Sequence, residues 1–331
     1  LRVVEEVRPA SAGTQLQLSI DKRIQYITHQ VLQETKDEFR AESVSAVMVD
    51  VKTGEILAMV SLPAGNPNVS AERRAELLKN RAVTDTFEPG STMKPLAVAA
   101  ALEAGVITPK TSFRTSGTYQ MGRYTVRDTH NYGTQDTVGV IRKSSNVGMA
   151  MISERMPRKK YRDFMTALGF GQPSGIGFPG EQRGHFPRTE KISPFDYATT
   201  FYGYGVSVSA LQLAHAYATV ANDGVEMPLS LLKVEELPEG KRVMSDKTAR
   251  AVQKMLEAVV GDGGTGKRAN TESYTVAGKT GTSHKVRKGG GYAEKNYRGI
   301  FAGYAPAHNP RIAMVVVVDD PKGDNYYGGL V

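Results

Sequence analysis

The stretch FEPGSTMKPLAVAAALEAG, residues 87–105, joins a polar beginning to a long apolar run. The Ala-, Leu- and Val-rich run predicts a buried helix that stops at Gly105. Pro95 has no N–H group and is tolerated only in the first helical turn, so the helix is predicted to begin near Ser91. Ser91 would then lie at the positive end of the helix, with Lys94 one turn later on the same face.

The pair formed by Ser91 and Lys94 has two interpretations. A hydroxyl beside an amine at a helix N-terminus suits a serine nucleophile, provided that burial and nearby positive charge keep the lysine neutral. An N-capping serine followed by a solvated lysine is the ordinary alternative. The S-x-x-K pattern alone leaves both open.

Two later motifs favour catalysis. The triplet S-S-N at 144–146 places a hydroxyl and a side-chain amide between helical runs, where a turn or cap would be the ordinary interpretation. K-T-G-T at 279–282 follows a β-rich run, and its glycine would let a ligand approach a strand edge closely, although any exposed strand end could have this composition. The order S-x-x-K, S-x-N, K-T-G is a variant of the set found in β-lactamases and penicillin-binding proteins. Three motifs in this order favour a functional site over three unrelated caps.

The rest of the chain predicts an α+β fold. Residues 45–61 and 299–320 each join two β-rich runs through a turn, and these hairpins from the two ends of the chain are predicted to pair in one antiparallel sheet. Helical spacing fills most of the space between them and predicts helices that cover the sheet, with an inserted helical subdomain. The predicted helical runs are 21–40 with Asp21 as N-cap, 91–104, 138–155, 162–168, 209–221 and 245–260.

Composition excludes several classes of function. The 331 residues include no cysteine, so disulfides and thiolate chemistry are excluded. A net charge of +8 indicates a solvated basic surface, and no nucleic-acid motif accompanies it, so no nucleic-acid partner is expected. The six histidines show no metal-ligand spacing, and neither a metal nor a cofactor is predicted.

The ends of the sequence predict a processed or truncated chain. It starts at Leu1 without methionine, and an apolar segment begins just before it stops. Residues 1–18 are expected to be a lead-in from an upstream region, and 19–331 to be one domain truncated near its C-terminus. No run approaches 18 apolar residues, so an N-terminal anchor, if the protein has one, would lie outside this sequence.

Seven stretches in order resemble the transpeptidase domain of class B penicillin-binding proteins, and most of all the cell-division type called penicillin-binding protein three. The resemblance covers the chain from about residue 16 onward. The stretches are FEPGSTMKP, IRKSSNVG, GFPGE, GYGVSVS, LAHAYATVANDG, VAGKTGT and YGGLV.

This resemblance implies a serine penicillin-recognising, β-lactamase-like fold and D,D-transpeptidation during septal peptidoglycan synthesis. The donor would be a stem pentapeptide ending in D-Ala-D-Ala, and β-lactam antibiotics would trap the acyl-enzyme. The implied location is the periplasmic face of the bacterial inner membrane, anchored by an N-terminal transmembrane segment. Implied partners include division-machinery proteins such as the polymerase of the lipid-linked precursor.

The resemblance also implies a role for each motif residue. Ser91 would be the nucleophile and Lys94 its general base, while Ser144 and Lys279 would relay the proton to the leaving nitrogen and Asn146 would orient the substrate amide. The backbone N–H groups of Ser91 and Thr282 would form the oxyanion hole. The implied substrate-binding residues are Ser145, Thr280, Gly281, Thr282, Tyr326 and Tyr327.

Two alternatives share the three motifs. A serine β-lactamase must activate water for deacylation, as class A enzymes do with a glutamate after the S-x-N motif. No matching E-x-x-L-N stretch lies between 144 and 279, so slow deacylation is predicted. The other alternative is a receptor domain that is acylated by β-lactams only to signal.

Overall fold

The computed structural model describes residues 11–286, 291–322 and 327–331. The α-helices are α1 (Lys22–Glu38), α2 (Ala75–Leu78), α3 (Arg81–Thr84), α4 (Lys94–Glu103), α5 (Thr137–Arg142), α6 (Asn146–Arg155), α7 (Arg158–Ala167), α8 (Pro194–Phe201), α9 (Ala210–Ala221) and α10 (Asp246–Val260). The strands are β1 (Ser43–Asp50), β2 (Ile56–Leu62), β3 (Ser112–Thr115), β4 (Thr118–Met121), β5 (Tyr124–Arg127), β6 (Gly133–Asp136), β7 (Val225–Glu226), β8 (Lys241–Arg242), β9 (Ala277–Val286), β10 (Tyr292–Ala305) and β11 (Ile312–Asp319).

The central sheet confirms the predicted pairing of the terminal hairpins. Its strand order is β2-β1-β11-β10-β9, and neighbouring strands run antiparallel. Val47 of β1 lies opposite Val315 of β11, so a strand from the N-terminal part of the chain pairs with one from the C-terminal part in the middle of the sheet. Strand β9, which carries the K-T-G-T motif, is an edge strand bonded to β10 alone in the described sheet.

Helices cover both faces of this sheet. Helix α1 packs on one face, where Leu32 joins a small cluster with alternate residues of β1, β2 and β11. Helix α9 is buried along its whole length in the larger core on the other face. Asp21 caps α1 as predicted, accepting the backbone N–H groups of two first-turn residues. The apolar residues of α1 do not all face the core, because Ile27 and Val31 are exposed while Thr28 is buried with Leu32.

The middle of the chain departs from the helical prediction at one place. The predicted helix 138–155 is two helices, α5 and α6, separated by a left-handed residue at Ser144. Residues 112–136, which were assigned to no helical run, form two small strand pairs, β3 with β6 and β4 with β5. The hairpin β4–β5 packs on α6 through Met121 and Val126, and so reaches the S-S-N motif.

Within the described ranges, no helix has the length and apolarity needed to cross a membrane. Residues 11–17 form neither helix nor strand and are exposed, and Leu18 begins regular contact through a single bridge to Leu232.

Candidate active site

Ser91 lies in a tight turn that leads into a buried helix. A 3₁₀ turn spans Gly90–Met93, and α4 continues from Lys94 with Pro95 in its first turn, so the predicted start near Ser91 is confirmed to within one turn. Ser91 is partly exposed, while Met93 and Lys94 are buried. The turn therefore leaves the Ser91 hydroxyl partly accessible while the residues that follow it are buried.

Contacts from two sides hold this turn in place. Tyr217 of α9 donates its hydroxyl to the Thr92 carbonyl at 2.8 Å. The Gly90 N–H donates to the Gly203 carbonyl at 3.1 Å, and Gly90 has the left-handed φ of +54°. A Cβ on Gly203 would lie 2.1 Å from the Gly90 oxygen, so only glycine fits there. This accounts for the first glycine of the GYGVSVS stretch, which packs against the Ser91 turn.

Lys94 is buried against the S-S-N motif. Its Nζ donates to the Ser144 carbonyl at 2.5 Å and to Ser144 Oγ at 3.1 Å. Burial lowers the pKa of Lys94 well below the usual lysine value, the positive charge of Lys279 lowers it further, and the carboxylate of Asp128 opposes both. The fold therefore shifts Lys94 toward the neutral amine that a general base requires.

Ser144 has a backbone conformation that places its side chain beside Lys94. Its φ is +58°, in the left-handed region that costs a non-glycine residue about 1 kcal/mol or more. The conformation closes α5, with the Ser145 N–H bonded to the Val140 carbonyl at 2.9 Å. Strain at this position makes Ser144 O and Oγ available to the same amine.

Ser145 does not have the predicted substrate contact. Its side chain is fully buried, donates to Asp128 Oδ2 at 2.5 Å and accepts the Gly148 N–H at 2.9 Å as the N-cap of α6. Both hydrogen-bonding directions are used inside the protein, so we correct its role to a structural one.

Asp128, which follows β5, was missed by sequence reasoning. Besides Ser145, it accepts the backbone N–H groups of Asn146 at 2.5 Å and Val147 at 3.1 Å. The Asn146 side chain donates to the Arg127 carbonyl at 3.2 Å, next to Asp128 in the chain. Asp128 thus ties hairpin β4–β5 to the first turn of α6 and fixes Asn146. No sequence spacing relates Asp128 to the S-S-N motif, and only the hairpin brings them together.

The K-T-G-T strand lies directly against the Ser91 turn. A Cβ on Gly281 would lie 2.9 Å from the Pro89 oxygen, and one on Gly90 would lie 3.1 Å from the Thr282 oxygen. The glycine of K-T-G therefore allows strand and turn to touch. Lys279 is fully buried, its Nζ donates to the Thr280 carbonyl at 2.9 Å, and burial lowers its pKa to about 7.

The two threonines of this strand have partners at its outer side. Thr280 Oγ1 donates to Thr265 Oγ1 at 3.0 Å, and Thr282 Oγ1 accepts the Gly328 N–H at 2.9 Å. Tyr327, next to Gly328, is half exposed, and its predicted ligand contact stays a prediction. Tyr326 lies outside the described residues, so its predicted contact stays a prediction.

The structure thus brings the three motifs to one place. The partly exposed Ser91 hydroxyl, the buried amines of Lys94 and Lys279, and Ser144 lie near the start of α4, beside the edge strand β9. A serine acyltransferase needs a hydroxyl nucleophile, a neutral amine that accepts its proton, and backbone N–H donors at a helix N-terminus.

Known proteins identify the family. A family model described as the penicillin binding protein transpeptidase domain matches residues 44–331. The transpeptidase domain of penicillin-binding protein 3 from Burkholderia pseudomallei, solved in its apo form, has 40% sequence identity and a TM-score of 0.87, covering 97% of this chain and 93% of that one. The chain belongs to the penicillin-binding protein transpeptidase family, and the predicted penicillin-recognising fold is confirmed.

Curated relatives carry names from the same family. The probable peptidoglycan D,D-transpeptidase PenA of Neisseria flavescens is 40% identical over 319 residues, 96% of this chain and 79% of the relative. The peptidoglycan D,D-transpeptidase FtsI of Escherichia coli strain K12 is 40% identical over 332 residues, 100% of this chain and 56% of the relative. The chain therefore spans little more than half the length of the second protein.

Proposed function

We propose that this chain is the catalytic domain of a peptidoglycan D,D-transpeptidase that cross-links stem peptides during septal wall synthesis. Its support is the family, the names of the curated relatives and one geometric observation. That observation is the buried, pKa-lowered Lys94, hydrogen-bonded to Ser144 one turn after Ser91. Residues 19–331 form the domain in this proposal, and 1–18 lead into it.

The proposed first step is attack by Ser91 on the penultimate carbonyl of a stem ending in D-Ala-D-Ala. A neutral amine has two N–H groups, and Ser144 accepts both from Lys94, so the nitrogen lone pair is left for the proton of Ser91. The bond from Oγ to the carbonyl carbon forms, the amide bond to the last D-Ala breaks, and Ser144 and Lys279 relay the proton to the leaving nitrogen.

The second step transfers the acyl group to an amine of a neighbouring stem. The amine nitrogen attacks the ester carbon, a peptide bond forms, and the proton returns to Ser91 Oγ. The backbone N–H groups of Ser91 and Thr282 stabilise the oxyanion in both steps, where loss of one such donor costs roughly 10²–10³ in rate. The contact between Gly90 and Thr282 supports this pairing.

The donor carboxylate is proposed to bind along the edge strand. Thr280 and Thr282 supply hydroxyls, and Lys279 supplies partial positive charge at neutral pH because its pKa is about 7. Asn146 orients the substrate amide from the opposite wall, and Tyr327 packs on the ligand. These roles rest on the positions of the motif residues around the Ser91 turn.

The cellular setting is part of the same proposal. The enzyme would act at the periplasmic face of the inner membrane, held by an N-terminal anchor beyond this sequence. β-Lactam antibiotics would acylate Ser91, and membrane proteins of the division machinery, including the lipid-linked-precursor polymerase, would be its partners. The names of the relatives favour a transpeptidase over a β-lactamase or a receptor domain.

Intact-mass spectrometry after exposure to benzylpenicillin tests the nucleophile. We expect the chain to gain the mass of one benzylpenicillin and to keep it for hours, since no deacylating glutamate motif follows S-S-N. Ser91→Ala should gain none, while Ser70→Ala, at an exposed serine, should behave as the parent. Rapid loss of the adduct would favour a β-lactamase, and an adduct on Ser91→Ala would remove Ser91 from its role.

A further inference from the structure

A cavity lies away from the Ser91 cluster, at the far end of α6. Its volume is about 240 Å³. Asn146 begins α6 and Glu154 is near its end, so roughly 12 Å of helix separates the S-S-N motif from this cavity. The residues that line it are Met121, Ser153, Glu154, Met156, Arg158, Pro194 and Tyr197.

One wall of the cavity carries an immobilised guanidinium. Arg158 Nη1 donates to the Thr189 carbonyl at 2.8 Å and to the Ile192 carbonyl at 2.6 Å. Its guanidinium carbon also lies 4.8 Å from the centre of the Tyr197 ring. Across the described ranges, Nε and Nη2 of Arg158 have no hydrogen-bond partner. A fixed guanidinium with free N–H groups is suited to bind a carboxylate.

The cavity lining also includes the carboxylate of Glu154, which has one hydrogen bond from the protein. Tyr119 donates its hydroxyl to Glu154 Oε2 at 2.6 Å, and in the described part of the chain Oε1 has no partner. No ion pair within 4.0 Å joins Glu154 to Arg158 among these residues, although both line one cavity. Two opposite charges therefore line the same cavity without forming an ion pair with each other.

We propose that this cavity binds a small zwitterion, of amino-acid or dipeptide size, with its carboxylate on Arg158 and its ammonium on Glu154. The volume is below the range of about 300–1,000 Å³ that suits drug-sized ligands, so it selects a smaller molecule. Met121, Met156 and Tyr197 supply apolar walls, and the methionines can adjust to the shape of the occupant.

Methyl NMR of the methionines tests the site directly. The chain has 12 methionines, of which Met121 and Met156 line the cavity and Met93 lies beside Ser91. Titration with glycylglycine should shift the Met121 and Met156 signals saturably and leave Met93 unchanged. Glycylglycinamide, which lacks the carboxylate, and N-acetylglycylglycine, which lacks the ammonium, should each need about tenfold more ligand, because each loses one charge-assisted contact.

Variants test whether the carboxylate of Glu154 binds the ammonium group of the ligand. Glu154→Gln keeps an acceptor for Tyr119 and removes the charge, so it should weaken glycylglycine binding about tenfold without changing the response to N-acetylglycylglycine. Glu239→Gln, at an exposed glutamate, is the matched control and should bind as the parent does. The proposal is overturned if Met121 and Met156 do not respond, if the two blocked peptides bind as well as glycylglycine, or if Glu154→Gln binds like the control.

Discussion

Lys94 and Lys279 are both fully buried, and burial changes how readily each side chain holds a proton. Water normally stabilises the ammonium form, and burial removes it, so both pKa values fall. Lys94 also has Lys279 as a like charge and Asp128 as an opposite charge. The proton-accepting form of Lys94 is thus controlled by its burial and by two charged residues, Lys279 and Asp128.

Two substitutions should therefore shift the pH profile of acylation in opposite directions. Asp128→Asn removes a negative charge that raises the pKa of Lys94, so the neutral base should persist to lower pH. Lys279→Ala removes a positive charge that lowers the pKa of Lys94, so the ascending limb of the acylation-rate profile should move to higher pH. The acylation rate itself should also fall. The measurement is the second-order rate of benzylpenicillin acylation against pH.

The control for this pair is Asp163→Asn, at an exposed carboxylate paired with Lys159 on α7. Its profile should coincide with that of the parent. Shifts of Asp128→Asn and Lys279→Ala in the same direction would contradict the electrostatic explanation.

Among individual residues, the sequence predicted those that lie in motifs and missed those whose role depends on the three-dimensional arrangement. Ser91, Lys94 and Ser144 were predicted from order and residue type, and the structure brings them together. Asp128 carries no such signal, because its role depends on a hairpin between the motifs. Ser145 was assigned to substrate for its motif position alone, and only burial shows that it caps α6.

Among the elements, the Ser91 turn depends on a glycine more than a hundred residues later. Gly203 has φ +81°, and a Cβ there would collide with Gly90. Gly203→Ala should displace the turn, with a loss of about 2–4 kcal/mol in the free energy of unfolding and a large fall in acylation rate. Denaturant unfolding and the benzylpenicillin acylation rate are the measurements.

Gly105→Ala is the control that separates the steric clash expected for Gly203→Ala from the effect of backbone strain alone. Gly105 also has positive φ, at +71°, but a Cβ there meets nothing within 4 Å. We expect a loss of about 1 kcal/mol and a normal acylation rate. Equal effects of the two substitutions would mean that strain, not contact with Gly90, explains the glycine at 203.

The elements that the sequence predicted best are those with strong periodicity and clear turns. The hairpins 45–61 and 299–320 have both, and both pair as expected. The helical spacing of 138–155 was extended through the break at Ser144, although S-S-N allowed a turn, because neither Gly nor Pro marks it. The left-handed φ of Ser144 is held by contacts with Lys94 and α5. The exposed Ile27 and Val31 show that apolar spacing alone does not determine which face of a helix is buried.

For the whole molecule, the buried lysines carry a cost in stability. The unfolded chain binds a proton at Lys279 up to pH 10.5, while the folded chain releases it near pH 7. The unfolded state therefore binds more protons between these values, and stability must rise with pH across this window. At pH 7 the cost is on the order of 4 kcal/mol.

Lys279→Met should remove this cost. The variant should be more stable than the parent near pH 7, and the difference should narrow as pH approaches about 10, as measured by urea unfolding at several pH values. Lys241→Met, at an exposed lysine, should follow the parent. A difference that does not change with pH would assign the effect to packing and not to the buried charge.

In the proposed reaction, the acyl group of a Ser91 acyl-enzyme is transferred to an amine. The most direct measurement is mass spectrometry of the products from a stem pentapeptide ending in D-Ala-D-Ala, incubated with the protein and an amine-bearing acceptor stem. We expect free D-Ala and a cross-linked peptide in equal amounts, and neither with Ser91→Ala. Release of D-Ala with only hydrolysed donor, or cross-linking by Ser91→Ala, would contradict the assignment.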